Sequence, residues 1–287
     1  MTLLFCLAGY CLLSGMAQAQ QPPPSKVKKV ASREPAETRL SLTTTPARLR
    51  TASLKLHGHN TVVKMVVGGR LETHFSYEGA EVADHVRQAH GIGGINGTFF
   101  GYSDPHGKVN LIGMWKTPKS GRYNPGARDI PPEKLRYRPL VVWDRHHILF
   151  ISYNLVQQGG KRIIQKQMPD ASNAFLAGAW IVHKSHALPK EQMTRFEVHD
   201  LQDVRPRAFL GVTRKGEFVI GATSSRSDTA RLGPVLVTAG LQEAVLLDSG
   251  LSTCLVYKKQ VVVAGNAFAK ASLRAIPHAI IVYEDSQ

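Results

Sequence analysis

The sequence predicts an α+β fold with a strand-rich core, and three observations carry that expectation. Short apolar or β-branched segments recur along most of the 287 residues, separated by turn residues such as Lys215-Gly216 and Asp144-Arg145. Only two segments, 78–89 and 226–240, read as helical. No internal repeat is visible, so many strands and few helices at mixed spacing describe one domain rather than an array.

In chain order, Thr61 to Val67 is β-branched and closed by Gly68-Gly69, a strand signal. Residues 78–89 place Val82, Val86 and Ala89 at helical spacing and stop at His90-Gly91. Gly94 to Phe100 is a short apolar strand with Asn96-Gly97 inside it, and 104–138 reads as a long loop with one short strand. Leu140 to Trp143 and His147 to Ser152 form a hairpin, and Asn173 to His183 is a further apolar strand region. Ala208 to Thr213 and Glu217 to Ala222 pair across Lys215-Gly216. Helical character in 226–240 is interrupted at Gly233-Pro234. Ala244 to Leu247 is a buried strand, Thr253 to Tyr257 and Val261 to Ala264 make another hairpin, and Ala279 to Tyr283 closes the fold.

The N-terminus sets the compartment. Leu3 to Leu13 is an apolar run followed by Ala17-Gln18-Ala19, a signal-peptide pattern over residues 1–19. The run is shorter than the roughly 20 residues of a transmembrane span, so no such segment is expected. The chain is therefore expected to be exported, either periplasmic or secreted. Residues 20–52 are rich in Pro, Lys and Thr and read as a linker whose Lys26, Lys28 and Lys29 belong to a solvated tether or, alternatively, contact an anionic envelope surface. The folded domain is placed at 53–287. Of the 3 cysteines, only Cys254 outlasts the leader, so no internal disulfide holds the core.

The net charge of +15 attracts polyanions. For an exported chain these are envelope polymers before nucleic acid. Aromatic content of 7%, with no aromatics interleaved among the basic residues, argues against a nucleic-acid partner. No nucleotide-type glycine loop and no Gly-x-Ser-x-Gly elbow is present, and no cofactor is expected. His57-x-His59 and His146-His147 lack the further ligands of a closed metal site, so no metal is expected either.

Three segments carry candidate chemistry. In 245–253 an apolar strand delivers Asp248 to its own end, followed by Ser249, Gly250, Ser252 and Thr253. Such a turn offers backbone N–H groups and hydroxyls to a phosphate or to sugar hydroxyls; the bland alternative is an Asp that caps its own turn. In Arg205-Pro206-Arg207, the Arg beside a buried strand can grip a phosphate bidentately, or simply be a surface Arg of a basic protein. In 94–100, Asn96 needs a partner if buried, and Gly97 permits close approach of another group. Asn96-Gly97-Thr98 matches a glycosylation sequon, which a buried strand would make accidental. Cys254 reads as a small buried apolar residue.

In this order, the three segments resemble the phosphodiester glycosidase family and its exported bacterial members. Gly94 to Phe100 is similar to the family's Asn-Gly-Gly-Phe-Phe strand, with Thr98 for the second Gly. Arg207 to Gly211 is similar to Arg-Thr-Ala-x-Gly, Leu247 to Thr253 to Leu-Asp-Gly-Gly-Gly-Ser-Thr, and Arg274 to Val282 to the closing strand. The resemblance spans roughly 54–283 and implies hydrolysis of a sugar-1-phosphodiester or related glycosidic bond in an anionic or phosphorylated carbohydrate. It implies Asp248 as acid/base or nucleophilic carboxylate, Arg207 on the phosphate, and Asn96 orienting the sugar or leaving oxygen. Ser249, Gly250, Ser252, Thr253 and Gly97 would bind substrate. Ser249 and Leu251 replace family glycines, which leaves a non-catalytic anionic-glycan-binding module as the alternative. Glycosidases use two carboxylates; Asp228 and Glu243 are candidates for the second.

Overall fold

The computed structural model describes residues 37–102, 109–127, 130–265 and 273–284. The expected leader and the first part of the linker lie outside the described residues. The linker ends earlier than the sequence suggests. Glu37–Ser41 already pairs with His147–Ser152, and Arg48–Leu56 pairs along its whole length with His59–Val67. The polar side chains of Arg48–Leu56 mark an edge strand with one face in water, not an unstructured tether.

Among the described residues, the strands build three sheets of five or seven and one two-stranded ribbon. The seven-stranded sheet centres on Leu241–Leu246, Ala208–Thr213 and Phe218–Thr223. Every residue of the latter two strands is buried, as expected of strands covered on both faces. Their fully buried Leu210, Val212, Val219 and Ile220 each contribute about 1.5–3 kcal/mol of burial free energy. The register leaves no room for a side chain at Gly221, where a Cβ would come within 2.4 Å of the Phe209 ring. A second sheet runs Gln260–Ala264, Cys254–Tyr257, Gly93–Asn96, Ile276–Tyr283, Arg70–Ala80, with the helix Val82–Gln88 packed on it. The third contains Pro139–Trp143, His147–Ser152 and Asn173–Leu176, under the helices Tyr153–Gly159 and Lys161–Gln167.

Several sequence expectations are corrected. The helix expected over 78–89 begins at Val82, because 78–80 complete the strand Arg70–Ala80 against Ile276–Tyr283. The apolar run 173–183 is two strands in different sheets. Asn173–Leu176 pairs with Pro139–Trp143, whereas Trp180–His183 joins Leu241–Leu246. The chain crosses between sheets at Gly178, whose N–H donates to the Leu246 carbonyl at 2.9 Å. The helix Thr229–Thr238 runs through Gly233-Pro234 instead of breaking there. Asp228 caps it through the Arg231 N–H, and Gly233 lets it approach the Ile181 carbonyl and Ala187 of the sheet. The loop over 104–138 holds the short elements Val109–Leu111, Trp115–Lys116 and Pro132–Leu135.

Candidate active site

Asp248 follows the strand Leu241–Leu246 directly, and Asn96 ends the strand Gly93–Asn96 of a different sheet. The Asp248 N–H donates to the Gly97 carbonyl at 3.0 Å. The Asn96 Nδ2 donates to the Asp248 carbonyl at 2.6 Å, and its Oδ1 accepts from the Cys254 N–H at 3.0 Å. Asn96 is 1% exposed, so one buried amide satisfies both its ends while fixing the two ends of the 248–253 turn. That enclosure also removes Asn96 from any role as a glycan acceptor.

Within the turn, the Ser249 N–H donates to Asp248 Oδ1 at 2.9 Å, and the Ser249 hydroxyl donates to the Leu247 carbonyl at 3.1 Å. Ser252 hydrogen-bonds the Asp248 carboxylate and accepts from Arg274 Nη1 at 3.1 Å. The Gly250 N–H and the Thr253 hydroxyl both reach the Pro206 carbonyl, at 2.9 and 3.3 Å. Gly250 has φ +69°, a left-handed conformation that costs glycine nothing. Burial pushes the Asp248 carboxyl up to about 6, against the opposing pull of Ser252, the Ser249 N–H and Arg274. A nearby carboxylate, Asp200, adds to the rise.

The close approach that Gly97 permits is made by His278. A Cβ at Gly97 would lie 1.9 Å from the His278 Nδ1. The Gly97 N–H donates to the His278 carbonyl at 2.7 Å, and the Thr98 N–H donates to Nδ1 at 3.0 Å. That bond assigns the imidazole proton to Nε2, and burial holds the ring neutral with a pKa lowered to about 3. The Thr98 hydroxyl donates to the Leu176 carbonyl, tying this corner to the third sheet.

Arg207 is placed differently from the sequence expectation. Its side chain is fully buried, and its guanidinium faces protein carbonyls. Nε donates to the Ser227 carbonyl at 3.2 Å, and Nη2 donates to the carbonyls of Asp200 and of Asp203, the latter at 2.5 Å. Nη1 lies 3.8 Å from Asp200 Oδ1. Burial lowers its pKa to about 10, with Asp200 the largest opposing influence. The residue therefore braces the 200–203 loop.

A cleft of about 620 Å³ adjoins the turn, lined by Asp203, Arg205, Pro206, Arg226, Gly250 and Leu251, among others. Arg205 pairs with Asp200 at 2.7 Å and also with Asp203. Arg226 Nε donates to the Val204 carbonyl at 2.9 Å. Leu251, which stands where the family pattern has Gly, is 51% exposed in this cleft. Asp248 itself is not among the lining residues.

Thus the fold brings together Asp248, Asn96, Gly97, Ser249, Gly250, Ser252 and Thr253, and turns the Arg207 side chain onto the carbonyls of residues 200, 203 and 227. Neither carboxylate named from sequence joins the cluster at Asp248. Glu243 is fully buried against His183 Nδ1 and the Lys184 N–H, and Asp228 caps a helix. Sequence reasoning missed Asp200, Arg205, Arg226 and His278. Arg205 and His278 lie inside the segments 205–207 and 274–282, but nothing in the pattern marks Asp200. Cys254 is a buried free thiol, its pKa pushed up to about 12 by burial. Among the described residues, no group of three or more His, Cys, Asp or Glu is placed to hold a metal, and no helix is long and apolar enough to cross a membrane.

A model of the phosphodiester glycosidase family matches residues 140–283, a span that includes Arg207 and Asp248 but not Asn96. No curated protein matches the chain. Among solved structures, the fold is similar to the catalytic domain of zebrafish N-acetylglucosamine-1-phosphodiester α-N-acetylglucosaminidase auto-inhibited by its pro-peptide. The TM-score is 0.63 at 10% identity, over 87% of this chain and 88% of that one. It is also similar to a hypothetical protein from Synechocystis (TM-score 0.56, 13% identity, 83% of this chain and 62% of that one). A candidate exported protein from Burkholderia pseudomallei gives a TM-score of 0.52 at 11% identity, over 78% of this chain and 74% of that one. At these identities the likeness is one of fold.

Proposed function

The chain belongs to the phosphodiester glycosidase family, and on that premise we propose that it hydrolyses a sugar-1-phosphodiester or related glycosidic bond in exported envelope or exopolysaccharide material. The observation that carries the reading is the Asp248 carboxyl. It stands partly buried at a strand end, held by Ser249 and Ser252, and pushed up to about 6 in a turn that borders a cleft containing Arg205 and Arg226.

In this reading, Asp248 donates its proton to the departing phosphate oxygen as the bond to the sugar C1 breaks, and water bonds to C1 as the new hydroxyl, giving its other proton to the second carboxylate. The match is chemical: a phosphate monoester has a second pKa of about 6, close to that of its donor. Arg226 and Arg205 receive the phosphate charge, a stabilisation worth most where water is excluded. Asn96 acts on Asp248 through the backbone and is a positioning residue. Asp200 replaces Asp228 and Glu243 as the candidate second carboxylate. The enzyme would be exported, with residues 1–19 as its leader and 20–36 as a tether.

The test is release of free sugar from a panel of α-linked sugar-1-phosphodiesters by wild type, Asp248→Asn and Arg226→Ala. Turnover by wild type, abolished in the first variant and weakened in the second, supports the proposal. One observation favours the binding-module alternative: the exposed Leu251 side chain in the cleft, with Asp248 outside its lining. Saturable binding of an anionic glycan without product from any substrate would establish it.

A further inference from the structure

A second cleft, of about 330 Å³, lies on the strand Arg70–Ala80, away from the turn at Asp248. Its floor is aromatic and rigid. Phe75 stacks on the buried Trp115 with ring centroids 4.3 Å apart, and Tyr77 sets its edge against Phe75 at 4.7 Å and 88°. Tyr77 is nevertheless 63% exposed, so its ring is open to a ligand. Over this floor the turn 117–122 carries Lys119 and Arg122. The turn is preorganised: the Thr117 N–H donates to the Ser120 hydroxyl and the Ser120 N–H to the Thr117 hydroxyl, both at 3.0 Å.

Lys119 and Arg122 are exposed, and neither forms an ion pair among the described residues. Among the described residues no carboxylate lines the cleft, while Thr117, Ser120 and Asn124 supply hydroxyls and an amide. On a chain of net charge +15, unpaired cations alone mean little. Their convergence on an open aromatic platform does: rings present flat apolar area to one face of a ligand while cations and polar groups take its charge and hydroxyls.

The cleft also has a definite relation to Asp248. His74 pairs with Ala279, and Ala279 pairs with Asn96, so the three lie in one cross-strand row. Two strand spacings place His74 roughly 10 Å from Asn96, which holds the Asp248 carbonyl.

We propose that this cleft is a second saccharide subsite that binds an anionic sugar residue, carboxylated or phosphorylated, of the same glycan chain whose bond is presented to Asp248. The assignment rests on the proposed glycosidase reading for the continuity of the chain, and on Tyr77, Lys119 and Arg122 for the binding itself.

The test uses the full chain carrying Asp248→Asn, titrated calorimetrically with a uronic-acid oligosaccharide, a phosphorylated oligosaccharide, a neutral one of equal length, and a single-stranded oligonucleotide. The expected result is that one or both anionic saccharides bind at least tenfold tighter than the neutral one. Both Tyr77→Ala and the double variant Lys119→Ala/Arg122→Ala, all exposed positions, then weaken binding about tenfold or more, and added salt weakens it further. The preferred anion tells carboxylate from phosphate. Absence of saccharide binding, binding unaffected by these variants but lost in Arg226→Ala, or tighter binding of the oligonucleotide overturns the proposal. Hydrolysis of short sugar-1-phosphodiesters by the otherwise wild-type chain is scored separately. Lost hydrolysis with intact Tyr77-dependent binding sinks the catalytic reading alone, and the converse sinks the subsite alone.

Discussion

The Asn96 Nδ2 lies 2.6 Å from the backbone carbonyl of Asp248, a contact that joins two sheets across 152 residues of sequence. Because Asn96 Oδ1 also accepts from the Cys254 N–H, Asp248 is held at the backbone by a side chain that need not touch substrate. Removing that amide leaves a buried carbonyl and a buried N–H without partners, which costs about 1–3 kcal/mol each. Asn96→Ala is therefore expected to lower unfolding stability by about 2–6 kcal/mol in urea titration. In whatever fraction folds, the turn at Asp248 is loosened. Asn96→Asp keeps the acceptor for Cys254 and regains an O–H donor only when protonated, so it is expected to fall between Asn96→Ala and wild type at low pH.

Gly97 and His278 form a matched pair. Gly97→Ala drives a methyl group against the His278 ring, which would otherwise lie 1.9 Å away. Overpacking of this kind costs about 1–3 kcal/mol. A double-mutant cycle checks the cause. Gly97→Ala with His278→Ala is expected to be more stable than the sum of the single effects predicts, because the cavity of one accepts the methyl of the other. Additive effects would mean that the clash is not what destabilises Gly97→Ala.

Asp248 has a signed pH signature. Its folded pKa of about 6 lies above the ordinary 3.8, so the folded state holds the proton more tightly. Its contribution to stability is full below pH 3.8 and is lost as pH rises through about 6. Asp248→Asn mimics the protonated side chain, so its melting temperature is expected to exceed that of wild type at pH 8 and to converge with it near pH 4. His278, with its pKa lowered to about 3, acts with the opposite sign: its contribution is present above pH 6.5 and is lost as pH falls toward 3. It is common to both proteins and cancels in the difference.

Arg207 and Arg226 are expected to separate structure from function. Arg207→Ala removes the donors that hold the carbonyls of residues 200, 203 and 227. Breaking such a buried charged network costs about 3–5 kcal/mol, read as a large drop in melting temperature. Arg226 is exposed and lines the cleft, so Arg226→Ala is expected to leave stability within about 0.5 kcal/mol while weakening turnover.

The sequence was most legible where structure is local. The hairpin around Lys215-Gly216 and the one around Asp144-Arg145 follow from apolar runs flanking polar turns, and both are present. The Asp248 turn was visible because a carboxylate ending a buried strand contradicts the strand's own pattern. The split of 173–183 between two sheets was not visible, since Asn173–Leu176 and Trp180–His183 are equally apolar. Arg207 misled for the converse reason. A sequence shows that an Arg adjoins a buried strand but not which way its side chain turns, and here it turns onto carbonyls of the 200–203 loop. Asp200 sits in a loop segment with no strand or helix period to mark it. Only tertiary contact places it beside both Arg207 and Asp248.

Proton donation by Asp248 during glycosidic cleavage is the step on which the proposed function turns. The most direct measurement is the pH profile of sugar release from an α-linked sugar-1-phosphodiester, for wild type and for Asp248→Asn confirmed folded. Wild-type turnover is expected to fall as pH rises through about 6, the pKa of the donor, and the variant is expected to give none. Equal turnover by a folded Asp248→Asn, or a wild-type profile that rises through pH 6, would contradict that step.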